Sequence, residues 1–529
     1  MSLSETAPVA LDRRLDLQTA EAIVDGARGI VISDAAARRL SAASARCETA
    51  MSEARHIYGI TTGFGPLANR LVPADRIGEL QQNLVYHLAT GVGPPFSWRA
   101  ARAIVLARLM SLLQGVSAAT PDSTGMLAAL LNSDLAPEIA ERGTVGASGD
   151  LTPLAHLVLC LQGRGTFLTS RGGQVDASAA LSQLGRTPLT LAGRDGLALV
   201  NGTSAMTGVA ILNACAAKRA LDWAIAISAL MGEALGAQGE AWNQAFADVR
   251  PHPGQARVTS TLNEWVRGSN WINGEPIANR RLRDLDRIAN ERAAGQDAYS
   301  LRCVPQILGG VADALEWHAT TVEGELASAT DNPIFPETGP VALHGGNFMG
   351  VPIALASDAL GNAVTVLAGL AERQVARITD EALNGGVPGF LTGAAPGLHS
   401  GFMGAQVTAT ALLAELRAIG PVSGQSISTN AANQDVVSMG TIAARFARDK
   451  LMLTFRILGI AALAAVQAGE RVADQRQGRR ARKTGALAHA VRQIAPPLGQ
   501  DRPLAPEIEA VARQMERYGP DALIAAQRV

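Results

Sequence analysis

The chain has 529 residues, 47% of them hydrophobic and 18% charged, with 46 basic against 47 acidic side chains and a formal net charge of −1. Such a length exceeds one compact core, so two lobes or an elongated bundle are expected. The near-neutral balance offers no global argument for nucleic acid or an anionic membrane as partner.

The opening "MSLSETAPVALDRRLD" carries acids early and lacks the apolar segment of a secretory signal. No uninterrupted apolar run, "ILGIAALAAVQAG" (457–469) included, reaches the ~20 residues of a membrane span. Cys47, Cys160, Cys215 and Cys303 are scattered without a CxxC pair, and the histidines show no metal spacing. Neither zinc nor a disulfide framework is expected, and a reducing, cytoplasmic setting is the expectation.

The irregular, Gly-rich stretches are "YGITTGFGPLANR" (58–70), "GTVGASGD" (143–150), "LHGGNFMG" (343–350) and "LNGGVPGFLTGAAPGLHSG" (383–401). In "SWRAARAIVLARLMSLLQG" Ser97 can cap a helix, Val105, Leu109 and Leu112 share a face, and Gly115 can end it. "GTFLTSRGGQV" (165–175) reads as a short hairpin turning at Gly172-Gly173. Three long, Ala-rich segments (204–235, 401–418 and 438–468) are apolar over most of their circumference, as helices inside a bundle must be. The basic run "RQGRRARK" (476–483) reads as a solvated loop. The expected fold is all-α: a smaller N-terminal lobe (1–200) with a few short strands, then a long central helical bundle with C-terminal helices (201–529).

Between the capped helix and the hairpin lies "GTVGASGDLTPLAH" (143–156). Ala147-Ser148-Gly149 ahead of a helix start reads as a tight turn, with Asp150 or Thr152 as cap and Pro153 in the first turn. The same residues permit a second chemistry. In a tight enough turn the Gly149 nitrogen can attack the Ala147 carbonyl carbon, since glycine leaves the approach uncrowded. Loss of water closes a five-membered ring, and loss of the Ser148 hydroxyl leaves an exocyclic methylidene, an electrophile that no side chain supplies. A nucleophile elbow is excluded because Asp150 stands where G-x-S-x-G needs glycine.

The full stretch closely resembles the signature of the aromatic amino acid ammonia-lyases, which make the 4-methylidene-imidazol-5-one (MIO) group. "YGITTGFGPLANR" is similar to the family's mobile catalytic loop, and "ALVNGTSAM", "QDAYSLRCVPQ", "TDNPIF", "LHGGNFMG" and "STNAANQDVVSMG" match in the expected order. The resemblance covers roughly residues 50 to 440. It implies non-oxidative elimination of ammonia from an L-amino acid, with the cofactor formed autocatalytically from Ala147-Ser148-Gly149. The substrate amine adds to the methylidene and the ring serves as electron sink.

By the same resemblance Tyr58 is the base for the β-hydrogen, a task that an unperturbed tyrosine, with a pKa of about 10, does not perform at neutral pH. Arg302 holds the substrate carboxylate, which its guanidinium fork suits. Tyr299 and Asn201 line the prosthetic group and the amine, Phe348 stands beside the ring, and Asn433 and Gln434 form a polar face near substrate. His87-Leu88 is the pair carried by tyrosine-acting members, where an imidazole can hydrogen-bond a phenol and a leucine packs its ring. The implied product is trans-p-coumarate, with some cinnamate from phenylalanine. Phenylalanine or histidine lyases, a tyrosine 2,3-aminomutase and an inactive helical scaffold are the alternatives. Family members are homotetramers with active sites shared between chains, and no nucleic-acid or membrane partner is expected.

Overall fold

The computed structural model describes residues 7–279, 296–393 and 395–527. The first six residues of the N-terminal stretch and Ala394 of the Gly-rich 383–401 loop lie outside them. Helices dominate, and the strands are short. Those needed for the site are α1 (Ile77–Leu88), α2 (Trp98–Leu113), α3 (Leu151–Leu161), α4 (Ser204–Leu235), α5 (Val304–Leu326), α6 (Val351–Thr379), α7 (Met403–Ala418) and α8 (Gly440–Val472). The expected hairpin is present as β1 (Thr166–Thr169) paired antiparallel with β2 (Gln174–Asp176).

The chain forms two compact units that are discontinuous in sequence. One comprises Met1–Cys215, His318–Asp358 and Pro421–Arg448, and the other Ala216–Trp317, Ala359–Gly420 and Asp449–Val529. A single division at residue 200 therefore does not describe the chain. The long helices α4, α5, α6 and α8 each contribute residues to both units, which a reading along the sequence cannot separate.

In the first unit α2 is the centre of the core. The Ser97 hydroxyl accepts from the Ala100 N–H, and Gly115, at φ +77°, follows the last turn. From Ala100 to Leu113 every residue is buried, so the expected apolar stripe is an apolar cylinder. Two arginines interrupt it. Arg102 stacks over Trp98 at 4.8 Å and donates to the carbonyls of Ile23, Val24, Leu130, Leu131, Ser133 and Leu135. Its buried charge is thus neutralised by the carbonyl ends of two neighbouring helices rather than by an acid.

In the second unit the basic run is not a free loop. Arg480 pairs with the buried Glu233 at 3.2 Å, Lys483 pairs with Glu264 and Asp521, and Arg476 donates to the Ala234 carbonyl. The length limit on apolar runs also needs correction. Among the described residues α6 and α8 are long and apolar enough to cross a membrane by length and composition, because a helix tolerates a few charges that interrupt a run. Their apolar windows are 61% and 83% buried inside the protein, as core helices are.

His318, on α5, is buried, and neither ring nitrogen has a hydrogen-bond partner among the described residues. Burial pushes its pKa down from 6.5 to about 4. Its neutral form is the native one, so its contribution to stability is present above pH 6.5 and lost as pH falls through 4. The full loss is ~3 kcal/mol. His318→Leu should lower the unfolding midpoint less than wild type does between pH 7 and pH 4.5, as thermal melts at both values would register.

Candidate active site

The Ala147-Ser148-Gly149 segment is a turn with an unusual backbone. Ser148 takes φ +57° and Gly149 φ +76°, both in the left-handed region. Glycine at 149 is required by contact as well as by conformation, since a Cβ there would lie 2.3 Å from the Gly202 carbonyl oxygen. Gly149 and Gly202 form a short parallel bridge, and the Asp150 N–H donates to the Gly202 carbonyl at 2.7 Å. The Gly149 N–H has no acceptor among the described residues.

Asp150 precedes α3 but does not cap it with its side chain. Its carboxylate instead accepts from the Met206 N–H at 2.8 Å, in the first turn of α4, and from the Thr441 hydroxyl at the start of α8. Burial pushes its pKa up to about 6, and these donors oppose the rise. The cap expected for one helix thus serves the starts of two others.

Ser148 is held from two sides. Its hydroxyl oxygen accepts from Gln434 Nε2 at 3.1 Å and its carbonyl accepts from Asn201 Nδ2 at 2.9 Å. The orientation of the Asn201 amide is forced, because its Oδ1 accepts from the Asn332 N–H at 2.9 Å. Asn332 follows Asp331, which pairs with Arg194 at 2.8 Å with both side chains fully buried. Gln434 lies just beyond three consecutive residues with left-handed φ, Asn430, Ala431 and Ala432, and its Oε1 accepts from Asn430 Nδ2 at 2.6 Å.

Tyr58 faces the same space. Its ring meets Phe64 edge-on at 6.2 Å, and its phenolic oxygen accepts from the Gly65 N–H at 2.8 Å. Its main-chain N–H donates to His344 Nε2 at 3.1 Å, which requires the neutral imidazole there. Burial, with the charges of His56 and Arg194, lowers the His344 pKa and so preserves that acceptor. The loop is tied to α1 by the buried Gln81, which donates to the Gly59 carbonyl and accepts from the Leu197 N–H, each at 2.8 Å.

At the end of α1, His87 Nδ1 lies 3.0 Å from the Asn83 carbonyl. A carbonyl can only accept, so Nδ1 is the donor there, and in the neutral imidazole Nε2 is left as an acceptor.

These groups line one cavity of about 600 Å³, walled by Tyr58, His87, Leu88, Ser148, Asn201, Phe348, Asn433 and Gln434. That size suits a small-molecule ligand. Ala147 and Gly149 flank Ser148 in the turn. Tyr299 and Arg302 are not in this wall. They belong to the second unit, where Arg302 lies 4.9 Å from the Tyr299 ring centroid and contacts Gln296. Tyr299 is 68% exposed. The nearby acids are engaged by main chain: Asp297 accepts from the Gln238 N–H and Glu240 from the Ile277 N–H. Among the described residues Arg302 has no ion-pair partner, and no three His, Cys, Asp or Glu side chains cluster as metal ligands.

Sequence reading missed Gln81, Arg108, Arg194, Asp331, Asn332 and His344. Each acts through a segment distant in the chain.

The sequence pattern of the aromatic amino acid lyases matches residues 15–493. A tyrosine ammonia-lyase from Cereibacter sphaeroides is 54% identical over 513 residues, 97% of this chain and 98% of that protein. An MIO-dependent tyrosine 2,3-aminomutase from Streptomyces globisporus is 42% identical over 472 residues, 87% of this chain and 86% of its own length. The crystal structure of a tyrosine aminomutase from the same organism superposes with a TM-score of 0.91 at 38% identity, covering 99% of each chain. The chain belongs to the aromatic amino acid lyase family.

Proposed function

We propose that this chain is a tyrosine ammonia-lyase that converts L-tyrosine to trans-p-coumarate and ammonia on an MIO group made from Ala147-Ser148-Gly149. The observation that carries the reading is one cavity faced by Tyr58, His87 and Ser148. The greater identity to a tyrosine ammonia-lyase than to a tyrosine aminomutase supports it.

The residues present fit the prosthetic group. The nucleophilic Gly149 nitrogen is unencumbered, and the left-handed turn at 148–149 is tight. Once formed, the group supplies an electrophile for the substrate nitrogen and a sink for electrons. Asn201 Nδ2 donates to the Ser148 carbonyl, where negative charge would collect. The N-terminus of α3 lies immediately after the turn and favours the same charge.

Tyr58 removes the β-proton, and the Gly65 N–H, donating to its oxygen, fixes where that oxygen stands. His87 Nε2 accepts from the substrate phenol and Leu88 packs its ring. Gln434, a neutral amide, suits a neutral phenol better than an acid would. Tyr299 and Arg302 come from a neighbouring chain of a homotetramer, where the exposed Tyr299 and the acid-free Arg302 complete the carboxylate end of the site.

Incubation with L-tyrosine should give the near-ultraviolet absorbance of p-coumarate. Silence with tyrosine and strong urocanate formation from histidine would refute the assignment. The structural likeness to an aminomutase favours that activity as the second reading, and β-tyrosine as a main product would establish it.

Tyr58→Phe should lower kcat by about 10²–10⁴-fold, the range of a lost general base, while intact mass still shows the loss of two waters. His87→Phe should lower kcat/KM for tyrosine relative to phenylalanine by ~5- to 150-fold, the cost of a buried hydroxyl left unpaired. Tyr58→Phe and Arg302→Ala chains should each be strongly impaired alone yet recover activity when co-expressed, since a mixed tetramer contains sites with both native residues. No recovery in mixed tetramers would refute the sharing.

A further inference from the structure

Arg108 is the second arginine in the buried stretch of α2, after Arg102. Its side chain is completely buried, and it forms no ion pair among the described residues. Asp331, the acid whose charge it feels, is engaged in both oxygens by Arg194 at 2.8 Å. Burial pushes the Arg108 pKa down to about 10, so the group is still a cation at neutral pH.

Arg102, six residues earlier, shows what a buried arginine collects when its role is to hold helix ends: six carbonyls. Arg108 takes one. Its Nη1 donates to the Asn201 carbonyl at 2.7 Å, Nη2 donates to the Ser111 hydroxyl at 3.2 Å, and Nε has no partner. The guanidinium lies flush against the next residue, since a Cβ on Gly202 would be 2.4 Å from Nη1.

The peptide it touches is the one that faces the turn. Asn201 C=O and Gly202 N–H are two ends of one planar amide. The Gly149–Gly202 bridge, with the Asp150 N–H on the Gly202 carbonyl, turns the Gly202 N–H toward the Ser148 carbonyl. The Asn201 side chain donates to that same oxygen at 2.9 Å. A cation bonded to the carbonyl end of an amide strengthens the N–H at the other end, and the effect is large where water is excluded.

We propose that Arg108 is a positioning residue for the elimination: its buried charge polarises the Asn201–Gly202 peptide, so that negative charge on the Ser148 carbonyl oxygen is stabilised through an amide rather than by direct contact. The inference rests on the MIO reading above.

The test uses the full-length enzyme carrying R108Q, which keeps a neutral donor, or R108K, which keeps the charge. Intact mass reads ring formation, kcat and KM are measured on tyrosine, and the rate of covalent addition of 2-mercaptoethanol reads ring electrophilicity without substrate. In that addition sulfur bonds to the methylidene carbon, the double bond becomes single, and the thiol proton passes to the ring through solvent.

R108Q should retain the two-water mass deficit, hold KM within ~3-fold, and lose ~30- to 100-fold in kcat with a parallel fall in thiol addition. R108K should recover at least ~10-fold of both. A wild-type kcat and addition rate in R108Q would overturn the proposal, as would equal impairment of R108Q and R108K or loss of the mass deficit in both. If R108Q does not fold, R108K decides: kcat within ~10-fold of wild type with the ring intact supports the role, and a greater loss with the ring intact refutes it. A wild-type chain without the mass deficit would refute the MIO reading itself, a failure separate from any effect of Arg108.

Discussion

The contact between Gly149 and Gly202 is the constraint on which the rest of the site depends. Two backbones approach so closely that a Cβ on Gly149 would lie 2.3 Å from the Gly202 oxygen. Only glycine permits that approach, and only at the positive φ both residues adopt. From it follow the placement of Asn201 beside the Ser148 carbonyl, the bond from Asp150 to Gly202, and the tight fold of the turn between them. The chemistry read from the tripeptide is therefore a property of two segments. Half of the turn is written fifty residues further on.

Around this contact the protein places charges that water does not reach. Arg194 and Asp331 form a fully buried pair, Asp150 is fully buried, and Arg108 is a buried cation with no acid of its own. Such groups rarely add net stability, because the desolvation they incur offsets most of their attraction. Their usefulness is geometric. The Arg194–Asp331 pair anchors the residue before Asn332, whose N–H fixes which end of the Asn201 amide meets Ser148. Removing either partner would leave an unpaired buried charge at a cost of about 3–5 kcal/mol, so the orientation is defended by the whole fold.

Much of the fold was legible because its signals are local. Ser97 and Gly115 bracket α2, and the segment 204–235 coincides with α4. Hairpin and turn residues lay where glycine demanded them. The motif-borne residues Tyr58, His87, Leu88, Ser148, Asn201, Phe348, Asn433 and Gln434 share one cavity. The side-chain cap expected from Asp150 or Thr152 does not form, and the Asp150 carboxylate finds donors on α4 and α8 instead of on its own helix. Units built from non-contiguous segments cannot be seen from composition. Gln81, Arg108 and His344 left no periodic signal, although an arginine inside a helix buried on all sides always requires an explanation.

Asp150 binds partners that stand 56 and 291 positions further along the chain. Gln434 and Met439 brace the same turn, the latter through its N–H on the Val145 carbonyl. During synthesis, then, the ribosome must pass residue 441, almost three hundred positions beyond the turn, before the last of these braces exists. A turn so braced is consequently completed late, once segments from distant stretches of chain have come together around it.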